Sequence, residues 1–158
     1  MNLNKYYEIK GTNFSLRYIN YTDYSKDYLF LLKQLTVVEP ENITQREFNY
    51  FLDTLNAKHN IIVVENLDTK KIVGTITFFI EYKMIHNMGS VCHIEDVVVD
   101  SEFRGYGIGK EMIETAIEYS KQVNCYKTIL DCSDKNVEFY KKNGKFEING
   151  NYMVLYHH

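Results

Sequence analysis

A mixed α/β fold, with a mostly antiparallel sheet flanked by helices, is predicted by three observations. Segments whose apolar residues alternate with period two recur along the 158-residue chain, as half-buried strands require. Between them lie segments whose apolar residues fall three and four positions apart, the spacing of one helical face. The two kinds interleave as β-α-α-β-β-β-α-β-α-β without internal repeat or low-complexity linker, so a single domain over residues 1–158 is expected.

Each element has its own signal. Phe14-Ser15-Leu16-Arg17-Tyr18-Ile19 alternates and reads as the first strand. Thr22 or Asp23 is placed to cap a helix from Tyr24 to Leu35, whose Tyr28, Leu31, Leu32 and Leu35 share a face before Pro40 closes the segment. Thr44-Gln45-Arg46-Glu47 has capping-box form, and Phe48, Phe51, Leu52 and Leu55 continue one face behind it. Ile61-Ile62-Val63-Val64, a turn through Asn66-Leu67-Asp68 and the run Ile72 to Tyr82 read as an antiparallel hairpin, followed by a strand from Cys92 to Val99. Met112, Ile113, Ala116, Ile117 and Val123 then mark an amphipathic helix, and Tyr126 to Leu130 a buried strand. Val137, Phe139 and Tyr140 lie on a shorter helix stopped at Gly144, and a last strand is expected from Tyr152 to Tyr156.

Composition narrows the function. Hydrophobic residues make up 45% and charged residues 25%, with 14 Tyr and 9 Phe, enough apolar surface to exclude disorder. Lys and Arg number 18 against 21 Asp and Glu, so no basic field exists to hold nucleic acid or anionic lipid. The most apolar run, Ile72 to Ile80, is too short to span a bilayer, and the opening residues lack the apolar core of a secretory signal. Cys92, Cys125 and Cys132 form no C-x-x-C and the five His are scattered, so reduced thiols, no metal and a cytoplasmic location are expected. The closing His157-His158 pair is compatible with a purification-tag remnant.

The most informative segment runs from the strand Val97-Val98-Val99 through Asp100-Ser101-Glu102-Phe103 into Arg104-Gly105-Tyr106-Gly107-Ile108-Gly109-Lys110. Glycines at a helix mouth let backbone approach a ligand, and the free first-turn N–H groups with the helix dipole favour a phosphate. Two familiar phosphate loops fit poorly. A Walker loop needs four residues between its glycines and Ser or Thr after the Lys, whereas Gly105 and Gly109 enclose three and Glu111 follows Lys110. A dinucleotide fingerprint has two residues before its third glycine, whereas one separates Gly107 from Gly109. The bland alternative is a tight strand-to-helix connection that binds nothing.

Arg104 through Gly109 resembles the R/Q-x-x-G-x-G/A pyrophosphate loop of the GNAT family of acyl-CoA-dependent N-acetyltransferases, and it follows a strand as that family requires. Within the family, His93-Ile94-Glu95-Asp96-Val97-Val98-Val99, Cys125-Tyr126-Lys127-Thr128-Ile129-Leu130-Asp131-Cys132 and Lys135-Asn136-Val137-Glu138-Phe139-Tyr140 are similar to the branch acting on glucosamine 6-phosphate. The resemblance is dense from about residue 72 to 144 and weaker before, where Leu35-Thr36 and the Ile43-Thr44 helix start match.

That resemblance implies a GNAT fold, acetyl-CoA as co-substrate, and acetyl transfer to the 2-amine of glucosamine 6-phosphate by direct attack in a ternary complex. It implies a place in UDP-N-acetylglucosamine synthesis and a homodimer whose C-terminal strands help build the site. For the coenzyme it implies Asp96, Val97 and Val98 through backbone groups, the loop Arg104, Gly105, Tyr106, Gly107, Ile108, Gly109 and Lys110, and also Asn136 and Tyr140. It makes Asp131 and Tyr140 catalytic: Asp131 would orient or deprotonate the amine, and the Tyr140 hydroxyl would serve the leaving thiolate. For the sugar it implies Thr36, the run Lys83, Met84, Ile85 and His86, then Glu95, Asp96, Lys127 and Asp131.

Each residue also has a plainer reading. Asp131 is equally able to cap the helix entered through Ser133, Tyr140 to sit in the core, Val97 to Val99 to be a buried strand, and Lys83 and His86 to be a solvated turn. Two departures from the family stand out: Tyr156-His157-His158 occupies the place of an Arg that meets the sugar phosphate, and Lys145 is inserted between Gly144 and Phe146. The last turn and strand are therefore expected to be displaced. An acetyltransferase for another amine or a protein N-terminus shares the coenzyme loop, and a silent acetyl-CoA-binding module would keep the loop and lose the chemistry. The Glu95-Asp96 and Asp131 context disfavours the former, and Asp131 with Tyr140 the latter.

Overall fold

The computed structural model describes residues 3–157, so His158 of the terminal pair lies outside it. Six strands form one sheet whose spatial order is their sequence order. They are β1 (Asn4–Ile9), β2 (Thr12–Tyr18), β3 (His59–Asn66), β4 (Lys71–Tyr82), β5 (Ser90–Val99) and β6 (Lys127–Ile129). Every neighbouring pair is antiparallel except β5 with β6, which is parallel, giving the mixed sheet that the sequence predicts.

The apolar run in β3 shows why helices cover both faces. Ile62 and Val64 pack with Phe14, Leu16, Ile76 and Phe78 under helix α4 (Ile108–Gln122), through its Ile108, Met112, Ile113 and Ala116. Ile61 and Val63 point the other way, into a second cluster with Ile72, Val98 and the helices α1 (Tyr28–Leu32) and α2 (Gln45–Thr54), through Tyr28, Leu29, Leu31 and Phe48. Period-two alternation thus sends one continuous apolar run into two cores.

Three expectations are corrected. An additional strand, β1, precedes the one expected first, and it joins β2 through the two-residue turn Lys10-Gly11, both at positive φ (52° and 76°) as a hairpin of this length requires. The helix expected from Tyr24 to Leu35 is instead a 3-10 turn (Tyr21–Ser25) capped by Asn20, followed by the short α1, with Asp27 left-handed at φ 61° between them. The Lys26 carbonyl accepts from the Ile72 N–H at 2.8 Å, so it is withdrawn from any helical ladder and the helix cannot run through. The strand expected from Tyr152 to Tyr156 does not form. Those five side chains are 53–90% exposed, and the segment pairs with no strand among the described residues. Lys145, the inserted residue, sits left-handed at φ 57° just past α5 (Val137–Gly144) and redirects the tail.

Elsewhere the elements follow the sequence. α2 opens with the capping box, Thr44 N–H donating to Glu47 Oε2 at 2.8 Å and Glu47 N–H to Thr44 Oγ1 at 3.3 Å, although of its expected face Phe51 stays exposed. A buried charge cluster ties β2 and β3 to the 3-10 turn. Arg17 grips Asp23 with two bonds of 2.7 and 2.8 Å and reaches Glu65 at 2.6 Å, while Lys26 closes on Glu65 at 2.8 Å. Asp23 is wholly buried and Glu65 nearly so. Among the described residues no helix is long and apolar enough to cross a membrane.

Candidate active site

The site begins where two strands part. β5 pairs with β6 only from Val91 to His93, against Lys127 to Ile129. Beyond that point β5 runs on to Val99 while Leu130 and Asp131 leave the sheet, so the edge of β5 from Ile94 onward has no strand partner on the β6 side. Such an edge offers backbone donors and acceptors to an extended ligand.

Within this free stretch the register against β4 slips. Thr77 pairs with Glu95 and Thr75 with Val98, so Asp96 and Val97 together oppose the single residue Ile76. Asp96 takes positive φ (48°), uncommon for a residue with a β-carbon, and the bulge re-aims the backbone at Asp96 and Val97 away from a regular ladder. Val98 returns to the core.

β5 then delivers the chain to the glycine loop. Asp100 caps a 3-10 turn (Ser101–Phe103) by accepting from Glu102 N–H at 2.9 Å, and Gly107 at φ 78° forms the cap of α4. A β-carbon at Gly107 would meet nothing within 4 Å, so glycine is needed there for its backbone conformation. Gly109 is different: a β-carbon would lie 2.9 Å from Phe139 Cζ, so its missing side chain lets α5 close on α4 beside the loop. The first helical bond is Glu111 N–H to the Gly107 carbonyl, which leaves the N–H groups of Ile108, Gly109 and Lys110 as the free first turn. Arg104 and Lys110 are exposed alongside, whereas the Tyr106 ring turns inward against Phe14 and Phe103 under the Lys10 ammonium.

Asp131 stands at the mouth of the parted strands, in an open cleft of about 1290 Å³ shared with Cys132, Tyr140 and the tail. Burial, then the charges of Asp131 and Asp96, push the Glu95 carboxyl up from its ordinary value, and His93 offsets part of this. The structure therefore brings Glu95, Asp96 and Asp131 into one electrostatic neighbourhood, and among the described residues no Lys or Arg lies within ion-pair distance of any of them. Tyr140 is buried, and burial with the nearby Cys132 and Asp131 raises its hydroxyl to about 12. Asn136 is exposed at the head of α5, its side chain capping nothing.

The remaining sugar candidates are not all gathered here. Thr36 is exposed in the irregular segment after α1. Lys83 pairs with Glu81, which also holds His93 at 2.8 Å. Met84 is exposed just before, and Ile85 on, the single turn α3 (Ile85–Met88), in which His86, Asn87 and Met88 all have positive φ. The His86 ring packs 4.1 Å from that of Tyr126, at the start of β6, with Lys127 exposed beside it. Lys127 and Asp131 are four residues apart, roughly 13 Å along an extended chain. Lys127 nonetheless lines the same cleft as Asp131, whereas Lys83 and His86 lie outside that lining. Sequence reasoning missed Gln34, whose amide reaches the cap residue Asp100 across 66 positions. Among the described residues, no group of three or more His, Cys, Asp or Glu is arranged to hold a metal ion.

The pattern described as the acetyltransferase (GNAT) family matches residues 21–145. The chain is 40% identical over 134 residues to the glucosamine 6-phosphate N-acetyltransferase of Arabidopsis thaliana, covering 83% of this chain and 89% of that protein. It is 36% identical to glucosamine 6-phosphate N-acetyltransferase 1 of Dictyostelium discoideum, covering 90% of each. The crystal structure of the Arabidopsis enzyme superposes with a TM-score of 0.86 at 38% identity, covering 90% of this chain and 97% of that one. An acetyltransferase of Trypanosoma brucei gives 0.83 at 36% identity, over 90% and 98% of the two chains.

Proposed function

The chain belongs to the acetyltransferase (GNAT) family, and from that premise we propose that it transfers acetyl from acetyl-CoA to the 2-amine of glucosamine 6-phosphate, releasing N-acetylglucosamine 6-phosphate and CoA. One observation carries the choice of an amine as acceptor: Glu95, Asp96 and Asp131 lie in one electrostatic neighbourhood where, among the described residues, no Lys or Arg comes within ion-pair distance and His93 offsets only part of the charge on Glu95. A substrate ammonium is the missing charge.

In this reading the residues divide the work. The first-turn N–H groups of Ile108, Gly109 and Lys110, with Arg104, Gly105, Tyr106 and Gly107, hold the pyrophosphate, and Asn136 gives a further contact. The free edge of β5 at Asp96 to Val98 aligns the pantetheine arm, and a bulge N–H near Val97 donates to the acetyl carbonyl oxygen as it gains charge. The amine nitrogen forms its bond to the carbonyl carbon as the carbon–sulfur bond breaks. Asp131 orients the bound ammonium, which first loses one proton to solvent so that the neutral amine can attack, and then takes the second proton as the amide forms. Tyr140, held near 12, is a weaker acid than a thiol of about 8.5, so it donates a hydrogen bond to the leaving thiolate rather than surrendering its proton outright.

Thr36, Lys83, Met84, Ile85, His86, Glu95, Asp96 and Lys127 complete the sugar site. Lys127, free of any carboxylate within ion-pair distance among the described residues, is the better phosphate partner, since Lys83 is already committed to Glu81. The exposed apolar run Tyr152 to Tyr156, beside the cleft that holds Asp131 and Lys127, supports a homodimer of single-domain subunits (residues 1–158) with shared sites. Three free cysteines fit a cytoplasmic enzyme, whose product would enter UDP-N-acetylglucosamine synthesis.

A CoA-release assay over glucosamine 6-phosphate, glucosamine, spermidine and a peptide tests the reading. Glucosamine 6-phosphate is expected to give the highest kcat/KM, at least about tenfold above glucosamine if one charge-assisted contact meets the phosphate. Equal use of both sugars would remove the phosphate site, and preference for spermidine or the peptide would replace the substrate.

A further inference from the structure

Segment 33–39 leaves α1 with little of its own to hold it. Up to Thr36 its backbone bonds turn back on α1, Gln34 N–H to the Leu31 carbonyl and Leu35 and Thr36 N–H to that of Leu32, at its end the Glu39 carbonyl accepts from Asn42 N–H, and Leu35 and Val37 are exposed. Among the described residues, the hydrogen bonds that tie this segment to a distant part of the chain come from one side chain. Gln34 Nε2 donates to Asp100 Oδ2 at 3.0 Å, and Gln34 Oε1 accepts from Ser101 N–H at 2.9 Å. The amide thereby engages both the cap residue of the 3-10 turn and the N–H beside it, using donor and acceptor at once.

What lies at either end of this bridge gives it meaning. Thr36 is two residues beyond Gln34, and the turn Ser101–Phe103 leads into Arg104 and the glycine loop. Asp100 is itself fixed, its N–H bonded to the Val73 carbonyl at 2.9 Å and its Oδ1 to Glu102 N–H at 2.9 Å, so a shift of the amide is felt by the turn. We propose that Gln34 is a positioning residue that couples the segment bearing Thr36 to the turn opening the glycine loop, so that filling the sugar side tightens binding on the coenzyme side. The proposal rests on the reading above, which puts sugar at Thr36 and CoA at the loop. Each ligand orders one end of a shared hydrogen-bonded link, and the second to bind finds its partner surface already ordered.

Calorimetry of CoA binding, with and without saturating glucosamine 6-phosphate, reads the coupling without turnover. For the wild type the sugar is expected to tighten CoA about fivefold or more, within the usual range of coupling between sites. In Gln34→Ala that ratio should fall to near one, while CoA alone binds within about threefold of wild type and the melting temperature holds, as expected of an exposed side chain. The paired exchange Gln34→Glu with Asp100→Asn reverses one bond, the new amide donating to the new carboxylate, and keeps acceptance from Ser101 N–H. It should restore the ratio, which general loosening of the segment does not predict. A ratio in Gln34→Ala equal to wild type, or no coupling in the wild type, overturns the proposal and leaves the substrate reading intact. A wild type whose CoA complex fails to bind glucosamine 6-phosphate at all overturns that reading, and the proposal with it.

Discussion

Two carboxylate clusters in this molecule have been treated in opposite ways. At the junction of β2, β3 and the 3-10 turn, Asp23 and Glu65 are buried and met at once by Arg17 and Lys26. Where β5 and β6 part, Glu95, Asp96 and Asp131 share a neighbourhood in which, among the described residues, no Lys or Arg comes within ion-pair distance. The glutamate in each cluster reflects the difference. Burial pushes the Glu65 carboxyl up, but hydrogen bonds and charge from Lys26 and Arg17 hold it below its ordinary value, whereas burial and neighbouring acids hold Glu95 above. The first cluster is saturated and serves the fold. The second keeps a charge deficit that a ligand can fill, and that deficit supports the proposal that chemistry takes place there.

If this division is right, each cluster can be damaged without the other. Asp131→Asn should lower kcat by about 10²–10⁴-fold, with CoA affinity and melting temperature near wild type; steady-state kinetics alongside calorimetry would show it, and near-normal turnover would remove Asp131 from the mechanism. Arg17→Met should do the reverse. It leaves Asp23 and Glu65 buried without their main partner, a loss of about 3–5 kcal/mol of stability in denaturant titration, while kcat per folded molecule is unchanged. Tyr140→Phe is a milder blow to the second cluster, about tenfold in kcat, because it removes a hydrogen bond to a charged leaving group rather than the proton acceptor.

The smallest effect is the most discriminating. Because the folded state raises the Glu95 value, its native form binds a proton more readily than the unfolded chain, so its contribution is full below the unfolded value and declines as pH rises through the folded one. Glu65 has the opposite slope: its contribution is present above the unfolded value and is lost as pH falls through the depressed one. Glu95→Gln should therefore raise the melting temperature at neutral pH by about 1–3 °C, with no gain in acid, while kcat/KM for the sugar falls. A loss of stability at neutral pH would show that Glu95 is answered after all.

What could be read from the sequence was what is local. The loop Arg104 to Lys110, the capping box of Thr44 and Glu47, and the β3–β4 hairpin each sit in a short span of chain, and each folds as its spacing predicts. Two of the misses depend on distant partners. No spacing rule shows that the Lys26 carbonyl will be taken by Ile72, which splits a helix, nor that Gln34 will reach Asp100. β1 was hidden because Lys10 stands where Asn or Asp would announce its turn. The tail failed for a different reason: Tyr152 to Tyr156 has the residues of a strand, but a strand also needs an edge to pair with. At the site, Glu95, Asp96 and Asp131 were named through family resemblance, and their shared isolation from cations emerged only when β6 was seen to diverge from β5.

The order of the sheet bears on how the molecule is made. Strands laid side by side in the order of synthesis let a chain leaving the ribosome add each one to the last, and β1 to β5 grow in this way through antiparallel neighbours. The sixth strand breaks the rhythm. It pairs in parallel, so α4 must first form and cross the sheet, a long loop to close for the three residues of β6. The cleft proposed for acetyl transfer lies at that final join, so in this reading the machinery is assembled last, on a sheet whose other five strands are already in place.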